Sequence, residues 1–237
     1  MKLLARGVLL LLMPLYILAL VGCGGRSRAM QRMDAAEELM PLRPDSSLAI
    51  LDSIPSESLS GPAEAARYAL LKSIAFDKNY IDTTTFDVIQ PAVDYYLKHG
   101  TADEKLRTCH YQGLIYVHRG ELDLAMQTFL KGEAIGRNAT DSLTLALLYV
   151  AKGMVNYRSF QFDELVANDL KAARILHQID DPKRELQCLI KVLSGAITLN
   201  DKVLADSVLD VAVGLHERTG AFKKLLENFI FQYIAVR

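Results

Sequence analysis

Cysteine is scarce in this sequence, and no cysteine is placed to form a zinc site or a disulfide framework. The three cysteines are Cys23, Cys109 and Cys188. They lie far apart, form no CxxC pair and have no histidine at the spacing of a zinc ligand set. Cys109 and Cys188 fall on the apolar stripes of predicted helices, where cysteine packs as a small hydrophobic side chain. The sequence therefore predicts no metal site and no structural disulfide.

Tryptophan is absent, and glycine and proline are few, with 14 and 7 residues in a chain of 237. Helix-favouring residues fill most of the chain, and no segment of useful length alternates between apolar and polar residues as a strand does. The chain is 51% apolar and 23% charged, which is the composition of an ordered protein. These proportions predict an all-α fold.

The sequence also lacks the excess of positive charge that binds nucleic acid. The formal charge is -1, and residues 23–237 contain 25 basic and 28 acidic side chains. A nucleic-acid-binding domain needs a strong basic surface to neutralise phosphates. We therefore expect no nucleic-acid partner.

No recognisable catalytic motif is present. The sequence contains no GxxxxGK[ST], HExxH or GxSxG pattern and no paired carboxylates at a catalytic spacing. The five histidines are dispersed along the chain: His99, His110, His118, His177 and His216. We expect a protein that is not an enzyme and that has no cofactor.

The N-terminus has the pattern of a secretory signal. Lys2 and Arg6 precede an apolar run over residues 7–21, which is shorter than the ~20 residues that cross a bilayer comfortably. The following tetrad, Leu20-Val21-Gly22-Cys23, resembles the lipobox of bacterial lipoproteins, in which the cysteine is lipidated and becomes the first residue.

This resemblance implies a signal peptide over residues 1–22, lipidation at Cys23 and a flexible tether over residues 23–28. Several acyl chains would hold the mature protein on a membrane almost permanently. The expected location is the bacterial cell envelope, on the outer membrane or cell surface rather than the inner membrane. An uncleaved signal anchor is the alternative.

The chain repeats itself with a period of 40 residues. Small residues recur at this interval, and a bulky apolar residue follows each of them three positions later. Small side chains at one helix position let neighbouring helices approach closely. The small residues are Ala92, Gly132, Ala172 and Ala212, and the bulky residues are Tyr95, Ile135, Ile175 and Leu215.

The segment 109–132 resembles a tetratricopeptide repeat (TPR), whose pattern of small and aromatic residues is matched by Gly113, Tyr116, Gly120, Ala125, Phe129 and Gly132. The next unit departs from the pattern, with Asp169 where an aromatic residue is expected. The resemblance implies a right-handed α-solenoid of antiparallel helix pairs that binds proteins on the concave face lined by the first helix of each pair.

We expect this solenoid to cover residues 29–237. Its predicted parts are a capping hairpin over 29–54, helix pairs over 60–100, 102–137, 140–178 and 181–219, and a terminal helix over 221–237. One predicted helix, Thr85–His99, contains Pro91, which should kink it or mark a later start.

Basic side chains recur at 40-residue steps on the predicted first helices. One ladder reads Lys78, His118, Arg158 and Thr198, and a second reads Arg67, Arg107, Leu147 and Gln187. If these ladders face the groove, they suit a partner with acidic side chains or a C-terminal carboxylate. Cations in the last turn of a helix are also favoured by the helix dipole without any ligand. The predicted groove consists of Arg67, Lys78, Arg107, His110, His118, Tyr157 and Arg158.

The terminal helix is predicted to be apolar nearly all round, so it would dock onto a partner or a second copy, or the chain would continue. The favoured function is a membrane-anchored scaffold that binds another envelope protein or peptide. The first alternative is an extracytoplasmic sensory or regulatory module of a longer signalling or transcription-regulating protein. The second is a glycan- or nutrient-capture lipoprotein, which the absence of tryptophan disfavours.

Overall fold

The computed structural model describes residues 27–219 together with Lys224 and Glu227. Ten α-helices and one short 3-10 turn make up the described part of the chain, and no strand occurs in it. The predicted signal peptide, the lipidation site Cys23 and the predicted helix 221–237 lie outside the described residues, apart from Lys224 and Glu227. The helices are α1 (Arg28–Leu39), α2 (Pro44–Asp52), α3 (Pro62–Lys78), α4 (Gln90–His99), α5 (Ala102–His118), α6 (Leu122–Gly136), α7 (Ser142–Arg158), α8 (Phe162–Gln178), α9 (Pro182–Thr198) and α10 (Lys202–Thr219), and the 3-10 turn is Ser56–Ser58.

Consecutive helices pack as pairs, and the pairs stack in chain order. Within each pair the helices are antiparallel, and the first helices α1, α3, α5 and α7 also pack against one another. The stacking changes at the C-terminal end, where α8 packs as extensively against α9 as against α7, and α7 hardly touches α9. The predicted all-α solenoid of helix pairs is confirmed.

Turns of one geometry join all of the later helices except α6 and α7. From α5 onward a helix starts every 20 residues, at positions 102, 122, 142, 162, 182 and 202. Phe160, Asp180 and Asn200 adopt positive φ angles between these helices, as Gly120 does. After each of them the next N–H bonds to a carbonyl five residues earlier, as from Gln161 N to Asn156 O at 2.8 Å. This left-handed helix cap normally uses glycine or asparagine.

Several helix starts have a stabilising local sequence. Thr101 and Glu104 form a reciprocal capping box at the start of α5. Asp141 accepts a hydrogen bond from the Thr144 N–H at the start of α7, at 3.0 Å. Pro182 occupies the first turn of α9, where its missing N–H costs nothing. Local sequence therefore sets the phase of the repeat.

The expected helix over 85–99 was wrong in its start, because α4 begins at Gln90. Pro91 lies in the first turn of α4, and a proline further inside would have removed a helical hydrogen bond and clashed with the preceding turn. Residues 79–89 form an irregular segment instead. The Phe86 ring from this segment packs against Tyr116 of α5, with ring centroids 4.9 Å apart.

Candidate protein-binding groove

An apolar groove opens between α7 and α9 and has a volume of about 460 Å³. It exists because these two first helices hardly touch, so the start of α8 forms its floor. We call this cavity the α7–α9 groove. Its lining residues are Val150, Met154 and Tyr157 of α7, Phe162 and Leu165 of α8, and Ile190, Lys191, Ser194, Gly195 and Thr198 of α9.

Three aromatic rings stand at one end of the α7–α9 groove. Tyr157 and Phe162 line it, and their ring centroids lie 6.2 Å apart in an edge-to-face arrangement. Phe160, in the turn between α7 and α8, makes a similar contact with Phe162 at 6.4 Å. Tyr157 is 60% exposed and Phe160 is 80% exposed. Large aromatic side chains in such a position are typical of binding surfaces, because they bury much area on contact.

The polar groups of the α7–α9 groove are mostly satisfied within α9. Ser194 Oγ donates to the Ile190 carbonyl at 3.1 Å, and Thr198 Oγ1 donates to the Ser194 carbonyl at 2.9 Å. Gly195 has no side chain to fill the cavity, and a Cβ there would come within 2.6 Å of Val166 Cγ2. Lys191 supplies the charge of the lining. The surface offered to a ligand is therefore largely apolar.

A buried carboxylate, that of Asp169 on α8, lies next to Lys191. Its exposure is 0%, and Lys191 Nζ lies 3.6 Å from Asp169 Oδ1. Neither oxygen accepts an N–H or O–H hydrogen bond from the described residues. Burial raises the pKa of Asp169 to about 6, although Lys191 opposes the shift. A buried charge with one half-exposed partner destabilises the fold.

The repeat explains the position of this carboxylate. One period earlier, Phe129 packs over Gly113, and a Cβ on Gly113 would collide with the Phe129 ring. Asp169 occupies the corresponding place over Gly153, where a Cβ would lie 2.5 Å from Asp169 Oδ2. The departure from the repeat pattern at Asp169 therefore puts a carboxylate where the fold normally buries an aromatic ring.

The basic ladders connect successive helix pairs. Arg67 on α3 donates to Asp34 at 2.7 Å and to Glu37 at 2.6 Å, both on α1. Arg107 on α5 pairs with Asp141, the cap of α7. Each pairing raises the pKa of the arginine in spite of partial burial. These guanidinium groups already have carboxylate partners within the chain.

Two residues of the other ladder, His118 and Arg158, contact backbone carbonyls of the preceding part of the chain. His118 Nδ1 lies 3.1 Å from the Thr83 carbonyl, and Arg158 Nη1 donates to the Val117 carbonyl at 2.9 Å. Lys78, in the last turn of α3, makes no ion pair with another described residue. The structure therefore gives most of the predicted basic residues a role between neighbouring repeats, and partner binding by them stays a prediction.

The placement of His110 in the groove was wrong. His110 is 4% exposed, and its ring packs against Tyr111 at 4.9 Å and Phe129 at 6.4 Å. Burial lowers its pKa to about 4, so the ring is neutral at physiological pH. It faces the inside of the α5–α6 pair and offers no surface to a partner.

Among the residues that the sequence predicted to bind a partner, Tyr157 lines the α7–α9 groove. Phe160, Phe162, Lys191 and Gly195 were missed. Phe160 occupies the turn position held by Gly120 one period earlier and by Tyr80 two periods earlier, so the turn position alone does not mark it as a groove residue. An aromatic residue in place of a turn glycine has no structural advantage.

The described residues contain no group of three or more His, Cys, Asp or Glu side chains that could hold a metal ion. None of the helices in the described part of the chain is both long enough and apolar enough to cross a membrane.

Two solved structures share the fold. Both are crystal structures of a protein from Podosopora anserina described as a kinesin light chain with nearly identical TPR-like repeats, one of them a point variant. They align with TM-scores of 0.57 and 0.56 and 13% sequence identity in each case. The alignments cover 82% and 81% of this chain and 97% of each of those chains. The fold is therefore a TPR-like solenoid.

No protein-family model matches the chain, and no curated protein sequence matches it.

Proposed function

We propose that this protein is a membrane-anchored scaffold of the bacterial cell envelope and that it binds an apolar segment of a partner protein in the α7–α9 groove. Solenoids of stacked helix pairs present extended surfaces to other proteins, and their concave face is the usual binding side. The observation that carries the proposal is the apolar groove with Tyr157, Phe160 and Phe162 at one end.

The chemistry of the groove favours a peptide segment with bulky apolar side chains. The volume of about 460 Å³ lies within the range of ~300–1,000 Å³ that is common for ligand sites. The hydroxyl groups of Ser194 and Thr198 already donate within α9, so they do not require a polar ligand. An apolar side chain entering the groove would leave neither of these two donors unsatisfied.

The anchor is a separate part of the proposal and rests on the lipobox-like tetrad that ends at Cys23. Metabolic acyl labelling and membrane fractionation of wild type and Cys23→Ala test it. Label that disappears in the variant, together with release of the variant from the membrane, supports the anchor. Equal membrane retention of both proteins without label would show a signal anchor instead.

Site-specific photo-crosslinking tests the groove. A crosslinking residue at position 157 should capture one defined partner, and the binding constant is then measured with the purified partner. Tyr157→Ala should weaken binding by about 30-fold, the usual loss for an aromatic hot spot. Tyr80→Ala is the matched control, because Tyr80 is 94% exposed in the turn after α3 and lies outside the groove. An equal loss of affinity in both variants would contradict binding of the partner in the α7–α9 groove.

A further inference from the structure

The start of α1 is unusually basic for a helix N-terminus. Residues 24–33 contain three arginines, Arg26, Arg28 and Arg32, and no acidic residue, in a chain with more acids than bases beyond residue 22. The first turn of α1 has no acidic side chain. Cations at this end of a helix oppose its dipole, so the local fold gains nothing from them.

Arg28 and Arg32 line a cleft of about 360 Å³ with Ile54, Pro55 and Ser58. The cleft lies between the start of α1 and the connection from α2 to α3. Ile54 and Pro55 give the cleft an apolar side, and the two guanidinium groups give it a positive side. We call it the α1 cleft.

The charges of the α1 cleft are available to a ligand. Arg32 Nη1 donates to the Ser53 carbonyl at 2.6 Å and to Ser53 Oγ at 3.1 Å, which fixes the side chain and leaves its other N–H groups. No carboxylate among the described residues pairs with Arg28 or Arg32, whereas Arg67 on the next first helix has two.

Two acids near this edge, Glu57 and Glu64, accept hydrogen bonds from neutral groups and form no ion pair with Arg28 or Arg32. Glu64 at the start of α3 accepts hydrogen bonds from Ser27 Oγ at 3.0 Å and from the Ser60 N–H at 2.9 Å. Glu57 is exposed and is hydrogen-bonded by Ser56 Oγ at 3.3 Å.

We propose that the α1 cleft binds the phosphate groups of anionic phospholipids and orients the solenoid on the membrane. The proposal rests on the anchor at Cys23. Arg28 follows Cys23 by five residues, so its backbone lies within roughly 17 Å of the acylated residue. A tether this short gives an effective headgroup concentration in the millimolar range or above, so weak contacts suffice.

The lipidated mature protein in lipid nanodiscs provides the test. The mass of the purified chain first shows whether Cys23 carries acyl chains. Hydrogen exchange of residues 53–59 is then compared between phosphatidylcholine discs and discs of equal parts phosphatidylcholine and phosphatidylglycerol. The exchange of the wild-type protein should be slower on the discs that contain phosphatidylglycerol than on the discs of phosphatidylcholine. Arg28→Glu/Arg32→Glu should abolish the difference, since loss of two arginines weakens the contact about 30-fold.

The matched control is Arg43→Glu/Arg137→Glu, which makes the same change of net charge at two exposed arginines outside the α1 cleft. This variant should keep the slow exchange on anionic lipid. Equal exchange on both lipids, or equal loss of protection in the control, overturns the cleft proposal and leaves the groove proposal intact. An unacylated chain overturns the anchor and the cleft proposal together.

Discussion

Asp169 is the residue whose chemistry fits its surroundings least. Its carboxylate occupies the position that Phe129 holds one repeat earlier. Its countercharge, Lys191 Nζ, lies 3.6 Å away. Its folded pKa of about 6 is above the ordinary value of 3.8, so the folded state binds more protons between these values. By linkage, the free energy of unfolding falls as the pH rises from about 3.8 to about 6, and the full loss is present above about pH 6.

Asp169→Leu should therefore stabilise the protein at about pH 8, by up to roughly 3 kcal/mol, the value of a two-unit pKa shift. The gain should shrink at about pH 5, where the wild-type carboxyl is protonated when folded. Urea denaturation at both pH values measures it. Asp210→Leu, at an exposed position of α10, is the control. A variant less stable than wild type at the higher pH would contradict this account.

Gly113 is required for close packing and not for backbone freedom. A Cβ at this position would collide with the Phe129 ring, whereas a Cβ on Gly214 in α10 meets no atom of the described residues within 4 Å. Gly113→Ala should destabilise the protein by about 1–3 kcal/mol through overpacking. Gly214→Ala should raise the stability by up to about 1 kcal/mol through helix propensity. Thermal unfolding measures both, and a stabilised Gly113→Ala would refute the packing argument.

At the scale of elements, the turn between α7 and α8 combines structural strain with exposure. Phe160 has a φ of 57° and is 80% exposed, while Gly120 holds the corresponding turn after α5 with a φ of 77°. A left-handed conformation costs a residue with a Cβ roughly 1–2 kcal/mol. Tyr80 has the same φ of 57° outside the groove, so what favours a binding role for Phe160 is its contact with Phe162 of the groove lining.

Phe160→Gly should therefore raise the free energy of unfolding by about 1 kcal/mol while weakening binding of the partner captured at position 157. Gly120→Ala is the reciprocal change, and it should destabilise the protein although the site is open space. Chemical denaturation and a binding titration separate the two effects. Unchanged affinity in Phe160→Gly would remove Phe160 from the binding surface.

Some helix starts have strong local signals in the sequence. Thr101 with Glu104, Asp141 and Pro182 mark helix starts by the hydrogen bonds they can make or lack. The start of α4 was misplaced because the apolar pattern continued through residues 85–89, where Phe86 and Ile89 pack without a helix. An apolar pattern predicts that side chains are buried, but it does not predict whether the backbone that carries them is helical.

At the scale of the whole molecule, the ion pairs of the first helices hold neighbouring pairs together. Arg67 connects α3 to α1 through Asp34 and Glu37, on partly exposed side chains. Arg67→Ala should weaken that junction by about 1 kcal/mol or less, after allowance for solvent screening. Hydrogen exchange should become faster in α1 and α2 and stay unchanged in α7–α10, because each repeat contacts only its neighbours. A uniform change along the chain would contradict this independence.

The fold could be predicted from the sequence, and most of the site could not. The 40-residue recurrence of small residues and the one clear TPR-like segment around Gly113 and Phe129 both predict it. The α7–α9 groove arises from one irregularity, the loose contact between α7 and α9, which depends on how α8 packs on both sides. His110 was misplaced because its polarity suggested a surface position. Its side chain is instead buried in the interface between α5 and α6.

The helices that start every 20 residues from α5 onward bear on how such a chain can change in length. Each unit reverses the direction of the chain, and turns of one geometry join the units at Phe160, Asp180 and Asn200. Insertion of a single 20-residue unit, which is one helix and its turn, would reverse the direction of every later helix. It would also exchange the first helices of the later pairs with the second ones. The two walls of a groove such as that between α7 and α9 would then lie on opposite faces. Gains and losses of sequence in this protein should therefore come in whole pairs, and a gene duplication of one helix would be selected against.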